Sequence, residues 1–207
     1  MTNDNKISLP NYILKSMSGT LKLLQMKPQS MEYFDLSLDG FWKSFWALAV
    51  MAPAFLLEFI YGAQADVSQP LTTKFIYFLV SLPLTATVML YFTKFMKINT
   101  NYMPMVIAYN WLNAVTYNIL IIAGLILNLL APESQVTGVI LLMFSVYFGL
   151  YVVWYTLKVS LAISTFLAVG VLLFVNIFNA VLQVLILKVF DPEVFEMLFN
   201  LASNQPP

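Results

Sequence analysis

The chain has 207 residues, of which 60% are hydrophobic and only 10% charged, a balance that excludes an ordinary soluble domain with about 45–50% apolar and about 25% charged residues. The net charge is zero, but all cations are lysines and five of the ten lie in the first 43 residues. Histidine and cysteine are absent, which excludes disulfides, a Ser-His-Asp triad and the usual metal ligands.

Residues 1–39 are predicted to form a cytoplasmic N-terminal segment that contains one amphipathic helix. The first residues lack a basic region leading into a short apolar core, so we expect an uncleaved first span rather than a cleaved signal peptide. Residues 11–27 have helical periodicity, with Ile13, Leu14, Met17, Leu21 and Leu24 on one face and Lys15, Ser18, Lys22 and Gln25 elsewhere. Together with Lys27, the two lysines favour a helix lying on the membrane surface. The alternative is that its apolar face packs on the cytoplasmic ends of the bundle.

Residues 40–190 are predicted to form a membrane domain of five helices. A helix needs about 20 apolar residues to cross the hydrocarbon core. Three ranges follow directly from the apolar stretches and their flanking residues, and the long stretch from 137 to 187 is divided at Lys158 into two more. The predicted spans are residues 41–61, 75–93, 104–130, 137–157 and 160–187. The fold class is therefore an all-α polytopic bundle with an N-terminal interfacial helix.

The lysines also predict the orientation of the chain in the membrane. Short cytoplasmic loops are enriched in lysine and arginine. Placing the N-terminus in the cytoplasm puts Lys94, Lys97 and Lys158 on the same side. The opposite loops, around residues 64–69 and 131–135, carry acids and no lysine. The tail, residues 191–207, is then expected outside, with its three acids Asp191, Glu193 and Glu196.

Polar side chains follow one face of the third span and one face of the fifth. They are Asn110, Asn113 and Tyr117 in the third span and Asn176, Asn179 and Gln183 in the fifth. Amides on one face commonly join transmembrane helices through hydrogen bonds. The second interpretation is a polar path or ligand site, because polar groups are costly inside the bilayer. Both interpretations remain open at this point.

Glu58 is the one acid well inside a predicted span. Counted from the ends of their spans, Glu58 and Asn176 lie at similar depth, so one interpretation is a hydrogen bond between them, with a neutral carboxylic acid as one form of the pair. The alternative is that Glu58 reaches the outer headgroups, since its span ends near Tyr61.

Smaller signals lie in the other spans. Pro53 and Pro83 predict kinks. In the fourth span, Ser145-x-x-x-Gly149 is a weak helix-packing signal. Its three tyrosines at a spacing of four, Tyr147, Tyr151 and Tyr155, are predicted to pack or to form an interfacial belt.

No motif of known chemistry is present in the sequence. It contains no GxGxxG, Walker A, HExxH or CxxC pattern, so no catalytic, cofactor or metal site is predicted. Without arginine or clustered lysines, nucleic-acid binding is not expected. The expected partners are the lipid bilayer and other membrane proteins, and the oligomeric state is left open.

Together these features resemble a known family. The aromatic elbow FDLSLDGFWKSFWA, five spans with the last two joined at WYTLKVSLAIS, and an external C-terminus look like a bacterial member of the Yip1-like family of small five-span membrane proteins. The resemblance implies a protein of the bacterial inner membrane that acts through partner proteins and membrane shape, with no catalytic residue to assign.

The sequence therefore predicts a non-enzymatic integral membrane protein. The first interpretation is a scaffold, assembly or membrane-organising factor that acts through helix contacts and membrane-surface binding. The alternative is a transporter or channel subunit, with a polar path lined by Glu58 and the asparagine stripes of spans three and five.

Overall fold

The computed structural model describes residues 8–62, 70–131 and 135–203, and this part of the chain is 91% helical with no strands. Five helices are long and apolar enough to cross a membrane. The prediction of a helical membrane bundle with five spans is therefore confirmed at this level. The predicted loop acids Asp66 and Glu133 lie outside the described residues, as does the end of the tail.

The helices follow one another in a simple order. Before the spans come α1 (Leu9–Leu24) and a 3-10 turn (Pro28–Tyr33); span 1 contains α2 (Leu38–Lys43), a 3-10 turn (Ser44–Trp46) and α3 (Ala47–Gly62), and span 2 is α4 (Leu71–Phe95). Span 3 contains a 3-10 turn (Asn99–Asn101) and α5 (Tyr102–Leu130), and span 4 contains α6 (Gln135–Val146), a π-helical segment (Tyr147–Val152) and α7 (Val153–Leu161). Span 5 is α8 (Thr165–Phe190), and α9 (Pro192–Ser203) follows it.

The turn between spans 4 and 5 lies after Lys158 rather than at it. α7 continues to Leu161, and Ala162 then adopts the left-handed conformation with φ 53°. Lys158 fits inside α7 because its ammonium lies 5.6 Å from the centre of the Trp154 ring and because a cation is favourable in the last turn of a helix. Ser164 then begins span 5 by accepting a hydrogen bond from the Leu167 N–H at 3.3 Å.

The tail is also more ordered than the sequence indicated. Residues 192–203 form α9, which follows span 5 directly and packs against it. The Lys188 ammonium lies 5.5 Å from the centre of the Phe195 ring and links the two helices. Phe199 and Leu201 remain exposed on α9.

Span 3 is the central helix of the bundle. It packs against span 1 and span 4 and also contacts span 2. The segment from Met105 to Leu112 is almost wholly buried, and Trp111 is completely so. Its apolar side chains join residues of spans 2, 4 and 5 in one core. The core therefore occupies the half of the bundle that contains Lys94, Lys97 and Lys158, which we call the lysine end; the other is the Glu58 end.

α1 packs against the bundle through a face that the sequence did not indicate. Its buried residues are Tyr12, Ser16, Gly19, Thr20 and Leu23, whereas Leu14 and Leu21 are 63% and 50% exposed. The periodicity was misleading because the packed face uses small and polar side chains. Gly19 permits close approach of the 3-10 turn that follows α1, since a Cβ built there would lie 2.8 Å from the Tyr33 Cβ.

A buried hydrogen-bond chain fixes α1 to spans 1 and 3. The Tyr12 hydroxyl donates to the Gly40 carbonyl at 2.8 Å, and the Trp111 indole N–H donates to the Tyr12 hydroxyl at 3.2 Å. The two rings also meet edge to face, with their centroids 5.8 Å apart. α1 is therefore docked on the protein, while its exposed leucines are free to contact lipid. Its location on the membrane surface stays a prediction.

Candidate intramembrane cavity

A cavity of about 430 Å³ lies between the five spans in the half of the bundle nearer the Glu58 end. Every span contributes to its wall. Six of the seven polar residues predicted from the sequence line it, namely Glu58, Asn113, Tyr117, Asn176, Asn179 and Gln183. The volume falls within the range of about 300–1,000 Å³ typical of small-molecule sites.

Asn110 is the exception among the predicted residues. It is 1% exposed, and its amide donates to the Ser44 hydroxyl at 2.9 Å. About two helix turns further along, the Asn118 amide donates to the Val50 carbonyl at 3.1 Å. These two amides join span 3 to span 1, as expected for amides that hold transmembrane helices together.

Glu58 is bonded to span 3 and paired with span 2 rather than bonded to Asn176. The Tyr117 hydroxyl donates to one Glu58 oxygen at 2.5 Å, and the Lys74 ammonium lies 3.4 Å from the other. The predicted bond between Glu58 and Asn176 is therefore wrong. It failed because depth along a span says nothing about which helices are neighbours, and the Asn176 amide instead donates to Leu172 in its own helix.

Asp191 fixes the position of Lys74 from the end of span 5. Its carboxylate accepts from the Thr73 backbone N–H at 3.1 Å and from the Thr73 hydroxyl at 2.5 Å. A carboxylate at the first turn of α4 is favourable because the backbone N–H groups there have no partner within the helix. The next residue, Lys74, is thereby held facing Glu58, with 18% and 27% of the two side chains exposed.

Asn179 bridges spans 2 and 5 across the cavity wall. Its side-chain oxygen accepts from the Tyr77 hydroxyl and from the Thr85 hydroxyl, each at 3.2 Å. Its amide nitrogen donates to the Val175 carbonyl at 2.9 Å. The Tyr109 hydroxyl faces this group and the Asn113 side chain. Asn179 therefore helps to assemble the bundle as well as lining the cavity.

Asn113 and Asn176 present oxygen atoms to the cavity. Each donates its amide nitrogen to the carbonyl one turn earlier in its own helix, at 2.7 Å for Asn113 and 2.9 Å for Asn176. No described residue donates to the side-chain oxygen of either. Neither amide therefore joins two helices, and both retain an acceptor for a ligand.

The cavity opens sideways between spans 4 and 5. These spans contact each other almost only through α7 and α8 near the lysine end, and they separate towards the Glu58 end. Ser145 and Asn176 stand on the two sides of the gap, and both line the cavity while being exposed. Span 4 is also the least covered span, since 6% of its apolar 18-residue window is buried against 22–28% of the corresponding windows of the others.

The Ser145-x-x-x-Gly149 pattern does not pack helices within the described chain. A Cβ built at Gly149 would meet nothing within 4 Å, and both residues line the cavity instead. The tyrosines of the same span have separate roles. The hydroxyls of Tyr147 and Tyr155 donate to the Leu24 and Met26 carbonyls after α1. Tyr151 stacks on Trp154.

The cavity ends at an apolar floor. The lining residues nearest the lysine end are Thr85, Tyr109, Val153 and Val175, and the apolar core of spans 2 to 5 beyond them forms the floor. Residues of this core such as Met105 and Leu157 are 0–2% exposed. The cavity is therefore a site accessible from one half of the bundle and not a continuous pore.

The sequence missed Lys74, Tyr77 and Tyr109 of the wall. The predicted span 2 begins at residue 75, but α4 begins at Leu71, so that Lys74 and Tyr77 share one face of the helix at the cavity. The sequence did contain a signal for this face, because Lys74 directly precedes the apolar stretch of span 2 and Tyr77 follows it three residues later.

The predicted membrane-surface lysines lie on and beyond α1. Lys15 and Lys27 are exposed, whereas Lys22 places its ammonium 4.7 Å from the centre of the Tyr33 ring. None of the three forms an ion pair with a described residue. None of the three lines the cavity.

No family model, no curated protein and no solved structure matches the chain, so these comparisons neither support nor refute the resemblance to the Yip1-like family.

Proposed function

We propose that the protein is a non-enzymatic membrane protein that binds a small polar molecule in the cavity between its five spans, as the substrate site of a transporter. The observation that carries the proposal is the convergence of six predicted polar residues and Lys74 on one cavity of about 430 Å³. An ion pair within a membrane bundle is energetically costly and marks a functional site by default.

A purely structural role explains the wall less well. Polar residues that only hold helices together should bond from one helix to another, as Asn110 and Asn118 do. Asn113 and Asn176 bond within their own helices and keep an acceptor towards the cavity. The transporter or channel interpretation is therefore favoured over the scaffold. Between these two, the apolar floor favours the substrate site of a transporter over an open channel.

Transport requires a second arrangement in which the floor opens. The spans contain three irregular positions that favour bending: Pro53 in α3, Pro83 in α4, and the π-helical segment of span 4. The π-helical segment also contributes Phe148 and Gly149 to the cavity wall. We propose that span 4, which is the least covered span, moves during substrate release.

The experiment compares what remains bound to the purified protein when the cavity is filled. Gly149→Phe places a ring at the cavity wall, in a position where a Cβ meets nothing within 4 Å. Gly138→Phe is the matched control, since Gly138 is on the same span and is equally open but does not line the cavity. Small molecules that survive gel filtration are identified by mass spectrometry.

We expect the wild type and Gly138→Phe to retain the same species and Gly149→Phe to lose it. Retention of the same species by the wild type, Gly138→Phe and Gly149→Phe would overturn the proposal. Finding no bound species whose amount falls in Gly149→Phe would also overturn it. Melting temperatures measured alongside separate a filled cavity from a misfolded protein.

The scaffold remains a second candidate because of span 4. Its outer face exposes Leu142, Met143, Val146 and Leu150, which form an apolar groove with span 5. A partner helix in the membrane would cover such a surface. The same proposal includes the inner-membrane location, the cytoplasmic N-terminus and the Yip1-like resemblance, which are supported by the lysine distribution and the order of the spans.

A further inference from the structure

We propose that the cavity binds a zwitterion that carries an ammonium group, an inference that rests on the proposed function of the cavity as a ligand site. The ammonium binds Glu58. The anionic group of the same molecule binds Lys74. Free solutes such as phosphoethanolamine and the headgroups of zwitterionic phospholipids both belong to this chemical class.

The charge of the wall selects for a ligand without net charge. Among the described residues that line the cavity, Glu58 and Lys74 are the charged ones, and they balance each other. A ligand with net charge would leave one charge of this partly buried pair uncompensated, which is unfavourable. A zwitterion supplies a partner to each side chain and keeps the sum at zero.

The ion pair is loose enough to exchange partners. The Glu58 oxygen near Lys74 is 3.4 Å from the ammonium, whereas strong bonds between an ammonium and a carboxylate measure about 2.7–2.9 Å. The other Glu58 oxygen is fixed by Tyr117 at 2.5 Å. An incoming ammonium can therefore take the first oxygen without disturbing the second, and Lys74 is released to bind the anionic group.

The remaining wall suits an ammonium better than a sugar or an anion. The oxygens of Asn113 and Asn176 accept from no described residue, so the wall offers acceptors in addition to Glu58. Aromatic rings surround them, and the faces of such rings attract cations. Those that line the cavity are Phe55, Tyr77, Phe78, Tyr109, Tyr117 and Phe148.

Two routes lead to the cavity, and they correspond to the two sources of the zwitterion. A solute enters at the Glu58 end, where Lys74 and Glu58 are partly exposed. A lipid headgroup enters through the gap between spans 4 and 5, beside Ser145 and Asn176. The apolar groove between the same two spans then accommodates an acyl chain.

The experiment measures binding to the full-length protein by isothermal titration calorimetry in an uncharged maltoside detergent. The probes are phosphoethanolamine, inorganic phosphate, ethylamine and glucose. A second arm reconstitutes the protein in nanodiscs that contain phosphatidylethanolamine or phosphatidylglycerol and counts bound lipids by native mass spectrometry. Binding of phosphoethanolamine identifies soluble zwitterions as ligands, and selective retention of phosphatidylethanolamine alone identifies the lipid as the source.

Charge variants test the assignment of each group. Glu58→Gln and Lys74→Met are each expected to weaken binding about tenfold or more, since each removes a charge-assisted contact. The exposed residues Glu196 and Lys188, which lie outside the cavity, provide the controls Glu196→Gln and Lys188→Met. If a single variant fails to fold, Glu58→Gln/Lys74→Met keeps the cavity neutral and should fold but not bind.

Each outcome separates this inference from the proposed function. Binding of phosphate, ethylamine or glucose in place of the zwitterion, with Gly149→Phe abolishing it, overturns the zwitterion while the cavity remains a site. Zwitterion binding that Glu58→Gln and Lys74→Met leave unchanged overturns the assigned contacts. If no probe or lipid binds and Gly149→Phe alters no bound species, both the inference and the proposed function are wrong.

Discussion

Gly40 is the position where a single methyl group should damage the fold most. A Cβ built there would lie 2.0 Å from the Asp35 carbonyl oxygen and 2.8 Å from its carbon, both of them backbone atoms that cannot swing aside. Overpacking of this kind costs about 1–3 kcal/mol or more. The shift also displaces the Gly40 carbonyl that accepts from Tyr12, and an unpaired buried polar group costs about 1–3 kcal/mol.

We therefore expect Gly40→Ala to lower the free energy of unfolding by about 3 kcal/mol or more. For a chain of this size that corresponds to a drop in melting temperature of about 6–12 °C. Unfolding can be followed in detergent by tryptophan fluorescence, since the buried Trp111 contacts Tyr12.

Gly170→Ala is the matched control for this substitution. Gly170 lies in the second turn of span 5, and a Cβ there meets nothing within 4 Å. Alanine is favoured over glycine inside a helix by about 0.5–1 kcal/mol, so this variant should melt at or slightly above the wild-type temperature. Equal melting temperatures for Gly40→Ala and Gly170→Ala would refute the reasoning about the α1 contact.

Three further predictions concern α1 and the helix ends. Burial raises the pKa of Tyr12 above 10.0, so its contribution to stability is present below pH 10 and is lost as the pH rises through the folded-state pKa. Tyr12→Phe should be less stable than wild type by about 1–3 kcal/mol at pH 8, but its free energy of unfolding should fall less between pH 8 and pH 11. Parallel plots of unfolding free energy against pH for the two proteins would contradict this. Ala162→Gly should raise the melting temperature, because glycine removes the strain of about 1 kcal/mol that alanine carries in the left-handed conformation at φ 53°. Ala180→Gly, inside span 5, should lower the melting temperature. Shifts of the same sign for both variants would be inconsistent with the helix-end geometry. Hydrogen exchange of α1 should be slower in nanodiscs with anionic lipids than in those with zwitterionic lipids, and Lys15→Glu/Lys22→Glu should remove the difference if the helix lies on the membrane surface.

The five spans were predictable because long apolar stretches have one physical explanation. A run of about 20 apolar residues crosses a bilayer, and the chain has little choice about where such runs occur. The polar faces of spans 3 and 5 were predictable for the same reason, since polar side chains inside a bundle must find one another or a cavity. This is how six cavity residues could be named without a structure.

Pairing between helices was not predictable from the same signals. Nothing in the sequence around Glu58 indicates that its partners are Tyr117 and Lys74, because the contact depends on how spans 1, 2 and 3 are arranged around each other. The face of α1 was misjudged for a related reason. Periodicity detects apolar stripes, but Ser16 and Thr20 are buried through close packing that glycine permits, which leaves no hydrophobic signature.

The central claim is that the spans enclose a ligand cavity that is open at the Glu58 end alone. The most direct test is to measure how fast a water-soluble, thiol-reactive reagent labels cysteines of the cavity wall from each side of the membrane. The chain contains no cysteine, so single cysteines can be introduced without background. Ser81→Cys and Asn113→Cys are placed on the cavity wall, and Ala108→Cys, which is 0% exposed and outside the cavity, is the control.

We expect a membrane-impermeant maleimide to label Ser81→Cys and Asn113→Cys from the Glu58 side alone, and to leave Ala108→Cys unlabelled from both sides. Phosphoethanolamine or phosphatidylethanolamine should slow the labelling of Asn113→Cys. Wall cysteines that are as unreactive as Ala108→Cys, or that react equally from the lysine end, would contradict a ligand cavity closed by an apolar floor.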